Sequence, residues 1–306
     1  SSLLLIRHFS IGGLSSGWLV LLANGRRVRR FAFFNYIAQV IFQLFNAEVM
    51  KLLVTRLLGI FQSAHYGFAY SLADTVNRYL PAVLLLRLIK PIFVSQYTKT
   101  GDFEQLNDMA RIILKLNLLV LMPIIAFTGV FGGDLLSIMS QGKYEDAHWV
   151  LVGILGLFIF TSHQLVLSLL ASTLEKNSMQ LYAGIASTVA FPCALFLIPI
   201  LGALGAVVAS AVSGIIYNTF ATIYLRRAGY NYRPDFRSVV IFLINGGLLY
   251  GLTLGLHCLL TGWGGVTVVL FIGTVFYLVI LRIMNAFNDK ERATLNSILP
   301  KRVFIF

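Results

Sequence analysis

The chain has 306 residues, 58% of them hydrophobic and 12% charged, with a mean hydropathy of +0.83. Apolar runs of membrane length recur from end to end, which excludes a soluble domain and points to an all-α, polytopic bundle of about eight membrane helices plus part of another at the N-terminus. In a soluble protein, 24 basic residues against 12 acidic ones would suggest nucleic acid; here membrane topology accounts for the excess, and no nucleic-acid partner is expected.

Residues 1–30 read as the end of a helix whose start is missing, followed by a basic linker with Arg26, Arg27, Arg29 and Arg30. The chain starts without an initiator Met, as if cut from something longer. Eight apolar segments follow, near 31–55, 65–96, 107–131, 147–172, 177–200, 203–225, 238–260 and 263–285. With the first linker inside, alternation puts nineteen basic residues on the cytoplasmic face. These are the four linker arginines; Arg87, Lys90, Lys99, Arg111 and Lys115; Lys176; Arg226, Arg227, Arg233 and Arg237; and Arg282, Lys290, Arg292, Lys301 and Arg302. Only Arg56 and Lys143 fall outside, while the outer loop 132–146 carries Asp134, Glu145 and Asp146. That asymmetry predicts a multi-pass plasma-membrane protein with a cytoplasmic C-terminus, whose basic tail rests on anionic headgroups.

The most informative stretch runs from Phe31 to Gln96. Asn35, Gln39, Gln43 and Asn46 share one face of a helix, within about 80° of arc, and such a stripe calls for water or sugar hydroxyls. Glu48 and Lys51, at i,i+3, lie off that stripe and have the spacing of a mutual ion pair; a structural and a transport role are both open. Asp74 and Arg78 follow at i,i+4, with Asn77 and Tyr70 on the adjoining face. If 65–96 is one helix, Arg78 lies about 18 Å from the inner surface, the deepest charge in the chain. An ionisable side chain at such depth faces a polar cavity or another charge.

Elsewhere the signals are weaker. Pro81, Pro91, Pro123, Pro192 and Pro199 fall inside spans, where proline bends a helix as a rocking transporter requires, or simply packs. Gly202, Gly205, Ala206 and Ala209 let helices approach closely. For His163, mid-span beside Gln164, a proton relay and an interhelical hydrogen bond are the two readings. Tyr66, Tyr70, Trp149 and Trp263 read as interfacial anchors. Cys193 and Cys258 lie in apolar runs without metal-ligand spacing, so neither a disulfide nor a metal or other cofactor is expected.

A set of local patterns then brings in a family. They are Leu57-Leu58-Gly59 followed by Tyr66-Gly67-Phe68-Ala69-Tyr70-Ser71-Leu72; Pro91-Ile92-Phe93-Val94-Ser95 with Gly101-Asp102; Gly142-Lys143-Tyr144-Glu145-Asp146-Ala147; Ala171-Ser172-Thr173-Leu174-Glu175-Lys176; and Pro199-Ile200-Leu201-Gly202-Ala203-Leu204-Gly205-Ala206. In this order and spacing the chain, over roughly residues 31–302, resembles the polysaccharide or O-antigen flippases of the multidrug/oligosaccharidyl-lipid/polysaccharide exporter superfamily. The resemblance implies a six-helix second lobe over 31–226 and two additional helices with a basic tail over 227–306, the first lobe being absent. It implies a non-enzymatic transporter that moves an undecaprenyl-pyrophosphate-linked oligosaccharide across the bacterial inner membrane by alternating access, in contact with membrane lipids and other polysaccharide-assembly proteins. The family's cationic cavity residues carry over best to Arg78, then to Lys51 and Arg87. Three other readings stay open: a cation-coupled drug exporter using Glu48 or Asp74, a membrane polymerase or glycosyltransferase of the same pathway, and an inactive fragment.

Overall fold

The computed structural model describes residues 33, 36–37, 47–259 and 262–292. Ten α-helices are delimited there: α1 (Ala47–Leu58), α2 (Ile60–Arg78), α3 (Pro81–Thr100), α4 (Phe103–Ser140), α5 (His148–Thr173), α6 (Ser178–Ser187), α7 (Ala190–Leu201), α8 (Ala203–Arg227), α9 (Phe236–Leu259) and α10 (Gly262–Ile283). A single 3-10 turn, Glu145–Ala147, is the other regular element, and there is no strand among the described residues. Among the described residues, six spans are long and apolar enough to cross a membrane: α4, α5 with the 3-10 turn, α6 together with α7, α8, α9, and Gly264–Ile283 within α10. Phe196, Ile200, Leu259 and Phe271 are each more than 70% exposed, a surface suited to lipid rather than to water. The chain is an all-α, multi-pass membrane protein.

Two predicted boundaries need correction, and a third span stands but carries a joint. The span expected at 65–96 is two helices, because Leu80 is extended ahead of Pro81, which disfavours helical geometry in the residue before it. The first N–H groups of α3 would be orphaned at that break, and Asn117 of α4 meets one of them: its Oδ1 accepts from Ala82 N at 3.1 Å. Asn117 is wholly buried and its amide donates to Ser162 of α5, so the break is pinned to two neighbouring helices. The span expected near 177–200 is found as Ser178–Leu201, with a joint at Thr188–Val189 between α6 and α7, and Pro192 sits in the first turn of α7, where its missing N–H costs nothing. Lastly, the outer loop expected at 132–146 shrinks to the residues after Ser140. Gly132 marks a close approach rather than a turn: a Cβ there would stand 2.6 Å from His148 Cδ2.

Successive loops alternate between the two ends of the bundle. At one end Tyr144 packs on His65 and Phe68, and the His148 ring bonds Thr128 O. At the other, Tyr230 packs on Phe103, Ser178 bonds Tyr224, and Arg111 Nε donates to Arg233 O. The core has three parts. One joins α1, α2, α5, α7 and α8 toward the Tyr144 end, a second joins α3, α4, α5, α6 and α8 toward the other end, and the third is the seam between α4 and the pair α9–α10. That seam sets α9 and α10 on the far side of α4 from α2.

Candidate functional site: a charged groove beside a hydroxyl-lined chamber

α2 positions the site. It follows α1 after a sharp reversal at Gly59, whose φ of 88° is open to glycine at little cost, so the two helices pack side by side. On the exposed side of this pair lies a groove of about 270 Å³ lined by Glu48, Lys51, Tyr66, Gly67, Tyr70, Ser71 and Asp74. Small size at Gly67 matters here, since a Cβ would lie 3.1 Å from Lys51 Cε and 3.2 Å from its Nζ. The lysine stem therefore crosses α2 over Gly67, which delivers the ammonium into the groove. Glu48 and Lys51 consequently form no ion pair with each other, against the spacing-based expectation.

Arg78 closes the inner end of this row. Its Nε and Nη2 donate to the same oxygen of Asp74, Oδ2, at 3.0 and 2.8 Å, while the guanidinium side chain remains 76% exposed. Because α2 ends at Arg78, the depth reckoned along one continuous helix does not hold. The arginine sits in the last turn, where a cation also meets the negative end of the helix dipole. Asn77 is half-buried one residue before it. Asn35, Gln39, Gln43 and Asn46 lie outside the described residues, as does the side chain of Arg87.

Tyr66 and Tyr70 are not interfacial anchors. Tyr66 is 2% exposed, and the two rings, 6.2 Å apart between centroids, stand between the charged groove and a second cavity of about 350 Å³ enclosed by α2, α5, α6 and α8. Thr161, Gln164, Ser213 and Tyr217 contribute to its lining, and none of the described residues around it is charged. Sequence reasoning passed over these groups, although Thr161–Gln164 and Ser210–Ser213–Tyr217 recur at the three- and four-residue spacing of a single helix face. His163 points elsewhere: its Nε2 lies 2.8 Å from Tyr232 Oη, in hydrogen-bond contact with the segment between α8 and α9.

A second charged cluster also went unread. Lys115, 2% exposed on α4, places Nζ 2.8 Å from Asp235 Oδ2 and 2.7 Å from Glu291 Oε2. Ser238 holds Asp235 by donating from both N and Oγ, and Asn288 N donates to Glu291. The cluster belongs to the end of the bundle away from the groove and has the arrangement of a structural clasp. Burial raises the Asp235 pKa, but the hydrogen bonds from Lys115 and Ser238 outweigh it and hold the carboxyl below its ordinary range.

No known protein-family model matches the chain, and no curated protein is significantly similar to it. The fold and site define a class, a multi-pass helical membrane protein with an ionised groove on one face.

Proposed function

We propose that the chain is the second lobe of a flippase that carries a lipid-linked oligosaccharide across the membrane. The observation that supports this reading best is the row Glu48, Lys51, Asp74 and Arg78 on the exposed side of α1 and α2. A cargo with an anionic pyrophosphate matches it. Arg78 offers N–H donors beyond those spent on Asp74, and a guanidinium fork suits phosphate. Lys51 adds a point charge in the groove that Asp74, the partner of Arg78, also lines.

The test is complementation of surface polysaccharide in a strain lacking lipid-linked oligosaccharide export, with a first lobe supplied and membrane-inserted protein quantified. If Arg78 holds the pyrophosphate, Arg78→Lys keeps part of the export and Arg78→Ala abolishes it at unchanged protein level. Full export by the Asp74→Ala, Arg78→Ala double variant would reduce the pair to mutual neutralisation and sink the reading.

One observation favours cation-coupled export as a second reading: Glu48 faces the groove without an ion-pair partner among the described residues. Under that reading Glu48→Gln removes the dependence of transport on the ion gradient, whereas the flippase reading leaves it unaltered.

A further inference from the structure

The 350 Å³ chamber has a chemistry of its own. We propose that it binds a neutral sugar ring of the cargo, next to the groove that takes the pyrophosphate. This deepens the flippase reading and rests on it. Four observations carry the inference.

First, the chamber lies within the range of small-molecule sites, about 300–1,000 Å³, and no charged residue among those described lines it, so its electrostatics favour a neutral guest over an ion. Second, three of its polar groups are left over, while Ser187 and Ser210 bond to backbone carbonyls. The Gln164 amide, the Thr161 hydroxyl and the Ser213 hydroxyl have no hydrogen-bond partner among the described residues. All three sit near the middle of long membrane helices, where an unmet polar group is costly and water is scarce. A guest with several hydroxyls would satisfy an amide that both donates and accepts together with hydroxyls that do the same. Third, the half-buried Tyr70 offers ring surface to the cavity, suited to the apolar face of a sugar. Fourth, Tyr66 and Tyr70 line both the chamber and the charged groove, so the chamber lies directly beside the space proposed for the pyrophosphate.

The experiment uses the full chain in lipid nanodiscs and two probes, a polyprenyl pyrophosphate and the same lipid bearing one hexose. The sugar-bearing probe should bind about tenfold more tightly, as two or three neutral hydrogen bonds supply. Thr161→Val with Gln164→Leu removes the hydrogen-bonding groups at nearly constant volume. This double variant should bring the sugar-bearing lipid down to the affinity of the bare one, with an unaltered or higher unfolding temperature, since no protein partner is lost. Equal binding of the two probes by the unaltered chain would overturn the chamber proposal while leaving the groove reading standing. So would a double variant that keeps the sugar increment, which would make the chamber a water pocket. Failure to bind either probe would overturn both.

Discussion

Lys115 shows how much depends on a single side chain. It neutralises two carboxylates that arrive from distant parts of the chain, and removing it leaves both in a poorly solvated place. Lys115→Met should therefore destabilise the protein by about 3–5 kcal/mol, whereas replacing all three residues with apolar ones of similar volume should cost far less. Thermal unfolding in detergent measures both. The same clasp makes a pH prediction. Asp235 has a folded pKa below its unfolded value near ~3.9, so the stability it contributes is present above that value and lost as pH falls through the folded pKa. Unfolding temperatures between pH 6 and pH 3 should fall, and fall less in Asp235→Asn. The Asp74–Arg78 pair was legible in the sequence because its i,i+4 spacing is local and helical. Nothing local announced Lys115, whose partners stand 120 and 176 positions further along the chain. The Glu48–Lys51 spacing misled for the complementary reason: the bare surface at Gly67 gave Lys51 a different path.

At the scale of the element, the joints decide the architecture. The reversal between α7 and α8 uses Gly202 at φ 64° and ψ −146°, a backbone state that a side chain strains, and Gly205 then lies against the opposite strand of the hairpin. A Cβ on Gly205 would stand 2.2 Å from Leu197 O, a backbone atom that cannot swing aside. Gly205→Ala should thus lower stability by about 1–3 kcal/mol and separate α7 from α8, read as a fall in unfolding temperature and in the yield of disulfide between cysteines placed on the two helices. The α2–α3 break makes a parallel prediction. Asn117→Leu leaves Ala82 N without its acceptor and should cost about 1–3 kcal/mol, although the residue lies 35 positions away from the break. Pro81 suggested a bend there, but it does not say which helix meets the freed N–H groups. That assignment needed the packing of α3 against α4.

For the whole molecule, the charge asymmetry predicts orientation and the fold supplies the sites at which to measure it. Gly142, exposed after α4, and Asn231, exposed between α8 and α9, lie at opposite ends of the bundle, and Asn231 is a better label than its half-buried neighbour Tyr230. A membrane-impermeant thiol reagent on intact cells should react with Gly142→Cys and spare Asn231→Cys in variants whose exposed Cys193 and Cys258 are replaced. The reverse pattern would invert the orientation. By itself the sequence determined that the chain is an all-α membrane protein, roughly where its apolar spans lie, and that Asp74 and Arg78 share one helix face. All of these follow from hydropathy, helical period and charge counted along the chain. Only the tertiary structure decided that Tyr66 and Tyr70 divide a charged groove from a hydroxyl-lined chamber, that Lys51 turns over Gly67, and that Lys115 clasps the segments on either side of the α9–α10 pair. A cavity or a buried charge is defined by groups brought together from several helices, and their relative positions come from packing rather than from the pattern along any one of them.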